Sequence, residues 1–270
     1  MTITPTLRMP ELGDPGRSLA ALEYWLRAYR RTWRSSAVTA FVMPLLFLGA
    51  FGGGLGKLVD SGGQGQLDGV PYLKFVAPGI LAGAAMQSAF SESTWPVLSS
   101  RKWNGHYQAQ AGSPLTIPDI VTGHLLFIVF RLGLGAIAFA LVGSLVGAFS
   151  PGRVILAVPV AVLTGLAHAA PLIAFAITRE SDTDFSLLMR FVMTPLFLFA
   201  GTFFPISQFP AAVEVLAWIT PLWHGTQLCR DLSMGDAGLL ASAGHLAYLL
   251  LWCAGGYALA LRAYRKMLLS

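Results

Sequence analysis

Six apolar runs dominate the chain, at approximately 36–56, 75–98, 119–148, 154–177, 187–205 and 242–262. Each is close to the ~20 residues that an α-helix needs to cross the ~30 Å hydrocarbon layer of a bilayer. The apolar residues are continuous rather than alternating, which argues against a transmembrane β-barrel. Only 11% of the residues are charged, whereas soluble domains carry about 25%. The sequence therefore predicts an all-α integral membrane protein, with six transmembrane helices in a transmembrane domain over 36–266.

The residues before the first apolar run differ in character. Residues 1–18 contain Pro and Gly and are predicted to be flexible. Residues 19–35 read LAALEYWLRAYRRTWRS, with apolar and aromatic side chains at helical spacing and arginines on either side of that face. This pattern predicts an amphipathic helix in the headgroup layer. The alternative is a cytosolic extension of the first span.

Lysine and arginine set the orientation of the spans. If the N-terminus is inside, twelve of these residues fall in inner segments, and only Lys57, Lys74, Arg153 and Arg230 fall in outer segments. This bias predicts that both termini are cytosolic and that the loops 99–118 and 178–186 are inside. The net charge of +5 follows the ends of the apolar runs, so we predict no nucleic-acid partner.

The stretch PISQFPAAVEVLAWITPLWHGTQL separates the fifth and sixth runs. It is apolar, but Pro205, Pro210 and Pro221 interrupt it. Irregular backbone at membrane depth survives only where protein buries it or water reaches it. We interpret the stretch as a re-entrant helical hairpin on the outer side, and the alternative is an apolar surface loop.

The loop 99–118, SSRKWNGHYQAQAGSPLTIP, is polar and carries Arg101 and Lys102. It ends in Ser113-Pro114 and Ile117-Pro118, two helix-start signals. A chain that only anchored itself in lipid would not need such a loop. It is therefore predicted to be a contact surface for a cytosolic partner.

Two ionisable residues, Glu92 and Arg131, fall within apolar runs. An ionisable group in lipid is costly, which makes each a functional candidate. One interpretation is that they pair between antiparallel helices or line a polar gate. The other is that Arg131 extends towards the interface and Glu92 reaches the inner surface.

Chemistry on the chain itself has no support in the sequence. The nearest string to a phosphate loop, FGGGLGKL at 51–58, has Phe51 and Leu58 where a glycine and a hydroxyl residue belong. The histidines and the cysteines Cys229 and Cys253 show no metal-ligand spacing. We expect no catalytic residues, no metal and no cofactor on this chain.

Several strings, taken in order, are similar to the ABC-2 type permeases. They resemble in particular the nodulation-type lipooligosaccharide exporter branch, with daunorubicin-type efflux permeases nearby. The strings are MPLLFLGAFGGGLG in the first span, YLKFVAPGILAGAAMQSAFSESTW at 72–95, RKWNGHYQAQAGSPLTIPDIVTGHLLFIVFR at 101–131, LFLFAGTFFPISQFP at 196–210 and TPLWHGTQLCRDL at 220–232. One departure is Ser113-Pro114 where the family commonly has Thr-Pro, and both offer a hydroxyl cap.

The resemblance implies a bacterial inner-membrane permease subunit with a coupling helix after the second span. Two such subunits, identical or paralogous, would pair with two ABC ATPase subunits that bind ATP and Mg, and export an amphipathic glycolipid, lipid-linked glycan or drug. The implied coupling segment, about 99–113, contains Arg101, Lys102, Trp103, His106 and Tyr107. Candidates for the translocation path are Glu92, Arg131, Trp95 and Trp223. The alternative functions are a stand-alone secondary carrier and a membrane scaffold without a transport cycle.

Overall fold

The computed structural model describes residues 13–61, 66–67 and 70–269, and 83% of it is helical. The helices are α1 (Pro15–Tyr29), α2 (Trp33–Leu48, continued by a π-helix over Gly49–Gly56), α3 (Lys57–Ser61), α4 (Tyr72–Ser93), α5 (Trp95–Lys102), α6 (His106–Ala111), α7 (Ile117–Leu145), α8 (Pro151–Ala176), α9 (Thr183–Leu188, continued by a π-helix over Met189–Met193), α10 (Thr194–Phe199), a 3-10 turn (Ile206–Gln208), α11 (Ala211–Trp218), α12 (Pro221–Met234) and α13 (Leu239–Leu269). Two short antiparallel strands, β1 (Gln66–Leu67) and β2 (Val70–Pro71), precede α4.

Five helical stretches in the described part of the chain are long and apolar enough to cross a membrane. They are Trp33–Ser61, Tyr72–Lys102, Ile117–Leu145, Pro151–Ala176 and Leu239–Leu268. They match five of the six predicted spans, and the all-α membrane fold is confirmed.

The remaining predicted span, 187–205, is shorter than expected. Its helix runs continuously from Thr183 to Phe199. Those 17 residues rise about 26 Å, slightly less than the ~30 Å hydrocarbon layer. Because the chain turns at Gly201 with a positive φ of 78°, the helix stops short of the predicted boundary, which is corrected to Phe199.

The N-terminal helix also differs from the prediction. It covers Pro15–Tyr29 rather than 19–35, and residues 33–35 already belong to α2. Asp14 caps it by accepting a hydrogen bond from the backbone N–H of Gly16 at 3.1 Å. Residues 15–18 are therefore helical and not flexible, and residues 1–12 of the predicted flexible segment lie outside the described residues. The position of α1 in the headgroup layer stays a prediction.

Helix α8 forms the centre of the bundle and packs against α4, α7, α12 and α13. Small residues allow the closest approaches. Gly225 of α12 faces Thr164 of α8, where an added Cβ would lie 2.0 Å from the Thr164 hydroxyl oxygen. Gly256 of α13 faces Pro171 of α8 in the same way.

The stretch between the fifth and sixth spans is a helix–turn–helix. Thr220 caps α12 by accepting from the backbone N–H of Trp223 at 3.4 Å, and α12 packs on α4, α8 and α13. Cys229 is buried within α12. The helical hairpin is present, and its depth in the membrane stays a prediction.

The segments predicted to be cytosolic gather at one end of the bundle. Arg101 at the end of α5 donates to the carbonyl oxygens of Ile177 and Arg179, each at 3.0 Å. Tyr107 of α6 contacts Tyr264 near the C-terminal end of α13. Ile117 begins α7, as the Ile117-Pro118 signal predicts.

Replacing Gly225 with Ala should destabilise the bundle, because the new methyl group would overlap Thr164, which is fully buried. We expect a loss of about 1–3 kcal/mol, the usual cost of overpacking a filled core. Thermal unfolding in detergent measures it. The matched control is Gly133→Ala in α7, where nothing lies within 4 Å of an added Cβ. Equal unfolding midpoints for the two variants would contradict the proposed contact between α8 and α12.

Candidate functional site

A cavity of about 1150 Å³ lies between α2, α4 and α7. Its wall is completed by residues of α1 and by Phe197 of α10. Pockets for small molecules usually enclose about 300–1,000 Å³. The cavity is therefore large enough for a ligand bigger than most drugs.

Polar and apolar groups separate along the length of this cavity. Helix α2 starts, and helix α4 ends, at the predicted cytosolic side. The polar residues that line the cavity lie at those helix ends: Ser35, Ser36, Thr39, Gln87, Ser88, Ser91 and Glu92, with Arg30 at the end of α1. The lining further along is apolar, and includes Phe41, Met43, Pro44, Phe47, Ile80, Leu81, Ala84 and Phe197. The cavity thus has one polar end and one apolar end.

Glu92 and Arg131 form an ion pair at the polar end. The Nε of Arg131 donates to the Oε1 of Glu92 at 2.8 Å. The Glu92 side chain is only 18% exposed and the Arg131 side chain only 23% exposed. The guanidinium carbon of Arg131 also lies 4.7 Å from the centre of the Tyr29 ring, within the range of a cation–π contact. This cluster joins α1, α4 and α7.

The two paired residues lie at different distances from the ends of their helices. Glu92 is ten residues from the end of α5, about 15 Å of helix, and Arg131 is fourteen residues from the start of α7, about 21 Å. These distances still differ by about 6 Å of helix, and the 2.8 Å contact shows that the packing of α4 against α7 brings the two side chains together. The pairing interpretation is the one that the structure contains.

Trp95 and Trp223 lie outside the cavity lining. Trp95 packs edge-on against Phe90 and Phe185, with ring centres 5.7 Å apart in both cases. Trp223 lies in the hairpin that is predicted to be on the outer side, beside Trp218 and His245. The structure therefore does not bring these two predicted path residues together with Glu92 and Arg131.

The basic residues of the coupling segment bind another loop of the same chain. Arg101 Nη2 lies 2.5 Å from Glu180 Oε1, and Lys102 Nζ lies 2.8 Å from Glu180 Oε2. Hydrogen bonds from Lys102 and Arg101 hold the pKa of Glu180 below its ordinary value. The carboxylate is thus ionised at neutral pH, and its contribution to stability is lost only when acid lowers the pH through that depressed pKa.

The aromatic residues of the segment divide into buried and exposed. Tyr107 is fully buried, and its hydroxyl lies 3.5 Å from His124 Nδ1. His106 stacks on Tyr24 of α1 at 3.4 Å, and burial lowers the pKa of His106 to about 4, so it is neutral at neutral pH. Trp103, by contrast, is 69% exposed. Of the five predicted coupling residues, Trp103 presents the largest apolar surface, whereas Tyr107 is buried against Tyr264 of α13. The part of each in coupling stays a prediction.

Contacts between aromatic rings connect this segment to the cavity. Trp25, next to Tyr24, lies 5.7 Å from Phe127 of α7. Phe127 lies 6.2 Å from Tyr29, the residue beneath Arg131. Helix α1 is therefore in contact with both the coupling segment and the ion pair.

Two buried charged residues that were not proposed from the sequence also fix the site. Asp119 accepts hydrogen bonds from the backbone N–H of Thr116 at 2.9 Å and from the Ser18 hydroxyl at 3.2 Å, which attaches α1 to α7. The Thr116-x-x-Asp119 spacing resembles a capping box, and this spacing is the sequence signal that points to Asp119. Arg230 donates to the carbonyl oxygens of Phe75 and Gly201 at 3.2 and 2.8 Å. The sequence signal that points to Arg230 is the presence of an arginine in the apolar hairpin.

Comparison with known proteins decides the family. The model of the ABC-2 type transporter family matches residues 20–233. The chain belongs to the ABC-2 type transporter family. The matched region contains residues 20–29 of α1, the coupling segment and the whole cavity lining.

Individual relatives of this ABC-2 chain are similar over most of their length. Nodulation protein J of Sinorhizobium fredii is 28% identical over 253 residues, covering 91% of this chain and 94% of the relative. Nodulation protein J of Rhizobium leguminosarum bv. viciae is 28% identical over 219 residues, covering 78% and 83%. The inner membrane transport permease YadH of Escherichia coli is 24% identical over 242 residues, covering 84% and 90%.

Family membership confirms the resemblance seen in the sequence. The protein is a multi-pass membrane permease of an ABC transporter, and the family implies association with an ABC ATPase. It is a transporter family, in agreement with the prediction that the chain is not itself an enzyme. The orientation of the termini and the number of subunits stay predictions.

The Glu92–Arg131 contact predicts non-additive effects of mutation. Glu92→Gln or Arg131→Met alone leaves one charge unmatched in a region of low dielectric, which is strongly unfavourable. The double variant should recover part of the loss, with a coupling energy of ~0.5–3 kcal/mol. Thermal unfolding of the four proteins in detergent measures it.

The control cycle uses Glu23 and Arg27, an ion pair on α1 at 2.6 Å whose side chains are 58% and 72% exposed. Exposed pairs contribute only about 0–1 kcal/mol. Simple additivity at Glu92 and Arg131, or a coupling no larger than in the control cycle, would contradict the role of this pair.

Proposed function

We propose that this permease moves an amphipathic substrate outward, driven by ATP hydrolysis on two separate ATPase subunits. The observation that carries the proposal is the separation of polar and apolar groups within one cavity. A substrate with a polar head and an apolar body matches both ends of such a cavity. A glycolipid, a lipid-linked glycan and a hydrophobic drug with a polar group all belong to this class.

The coupling segment provides the route for the driving force. In the proposed mechanism, an ATPase subunit docks on the surface around Trp103. This subunit moves the coupling segment when ATP is bound and hydrolysed. The buried face of the segment contacts α1 through His106 and Tyr24, and α1 contacts Arg131 through Tyr29. Displacement of α1 therefore changes the wall of the cavity next to the ion pair.

A second permease subunit, identical or paralogous, completes the proposed transporter. Much of α2 and α13 is exposed in the single chain, because only 12% and 17% of the most apolar stretches of these two spans are buried. Lipid and a second subunit are the two environments that suit such faces. The name of the Escherichia coli relative, inner membrane transport permease YadH, is consistent with transport across the inner membrane.

The proposal predicts that Trp103→Ala weakens ATPase binding without preventing membrane insertion. If Trp103 is an anchor of the interface, its truncation should cost ~1–3 kcal/mol of association. The measurement is co-purification of the permease with an ABC ATPase expressed beside it. ATP-dependent transfer of an amphiphile across proteoliposomes that contain both proteins then tests export itself.

Trp218→Ala is the matched control, because this tryptophan is 47% exposed but lies in the outer hairpin. It should leave ATPase binding unchanged. Equal recovery of the ATPase with wild type and with Trp103→Ala would remove Trp103 from the interface. Transfer that proceeds without ATP would instead favour a secondary carrier.

A further inference from the structure

The charges at the polar end of the cavity do not balance. Among the described residues that line it, Arg30 and Arg131 are cationic and Glu92 is the single carboxylate. Glu92 is already bound to Arg131. Arg30 is exposed at the end of α1 and takes part in none of the ion pairs found in the described part of the chain. The polar end therefore carries one net positive charge.

A ligand headgroup replaces water at this end of the cavity. A cationic head would add to the excess positive charge, and an uncharged head would leave it unmatched. Removing a charge from water is unfavourable unless an opposite charge compensates it. An anionic head provides that compensation, and arginine binds phosphate and carboxylate through charge-assisted hydrogen bonds.

The apolar part of the cavity is long. Its lining on α4 extends from Glu92 to Ile80, which is about 18 Å of helix. That length is more than half of the ~30 Å hydrocarbon layer. An elongated alkyl chain fills such a space better than a compact ring system does.

We propose that the cavity binds an anionic amphiphile, with its phosphate or carboxylate head held by Arg30 and Arg131 and its alkyl chain lying between α2, α4 and α7. This names the ligand class of the cavity on which the proposed function rests. Glu92 competes with the head for Arg131. Glu92 thereby limits how tightly the ligand is held, which suits a site that must release it.

Three amphiphiles with the same chain and different heads test the proposal: dodecyl phosphate, dodecyl maltoside and dodecyltrimethylammonium. Each is titrated into the full-length permease in phosphatidylcholine nanodiscs, without ATPase or ATP. Binding is followed by the thermal unfolding midpoint, after correction for partition into empty nanodiscs. Dodecyl phosphate should bind about tenfold more tightly than the maltoside, the effect of one charge-assisted hydrogen bond. Inorganic phosphate should not shift the midpoint at the same concentration, because it leaves the apolar half unfilled.

Two variants give opposite expected results. Arg30→Gln should remove most of the preference for dodecyl phosphate. Glu92→Gln should strengthen dodecyl phosphate binding, because Arg131 then has no competing carboxylate. Arg27→Gln is the control, since Arg27 lies on the same helix but pairs with Glu23 outside the cavity. This variant should change the affinity for dodecyl phosphate by less than about twofold if salt screens the general attraction of the surface.

Equal affinity for the phosphate and the maltoside, or tighter binding of the cation, would overturn the proposal. A loss with Arg27→Gln as large as with Arg30→Gln would also overturn it, because surface charge alone would then explain the binding. Weaker binding with Glu92→Gln would have the same consequence. Because the assay contains no ATPase, its failure leaves ATP-driven export untouched, and failure of export leaves the binding result standing.

Discussion

Charge inside a hydrocarbon environment has to be neutralised by the protein itself, and this constraint organises the bundle. The Glu92–Arg131 pair meets it between α4 and α7. Arg230 meets it through the carbonyl oxygens of Phe75 and Gly201, which join α12 to the start of α4 and to the turn after α10. Each charged group that is satisfied in this way also fixes the position of a helix. The charged residues of the interior are thus structural joints as well as candidates for function.

The ion pair differs from the other joint because it faces a cavity. Arg230 is surrounded by protein, with the Phe75 ring 3.9 Å from its guanidinium carbon. Glu92 and Arg131 stay partly exposed and line a space that is polar at one end and apolar at the other. Through Tyr29 they also contact α1, and Tyr24 of the same helix stacks on His106 of the coupling segment. One helix therefore touches both the proposed ATPase-docking surface and the proposed substrate cavity.

Much of the fold follows from the sequence because its signals are local. Continuous apolar runs predict the spans, and Ile117-Pro118 correctly marks the start of α7. Other features depend on contacts that sequence spacing does not encode. Tyr107 lies in a polar loop, yet it is buried because α6 folds back on α7 and α13. The pairing of Glu92 and Arg131 depends on how α4 and α7 pack against each other, which hydropathy does not indicate.

The central claim is that the substrate passes through the cavity between α2, α4 and α7. The most direct measurement fills this space with Ala84→Trp, since Ala84 lines it on α4. The control is Leu156→Trp on the exposed face of α8, outside the cavity lining. ATP-dependent transfer of a fluorescent alkyl phosphate is measured in proteoliposomes that contain the permease and its ATPase. The account predicts that Ala84→Trp abolishes transfer while the ATPase stays bound, and that Leu156→Trp transfers as wild type does. Unimpaired transfer by a folded Ala84→Trp protein would contradict it.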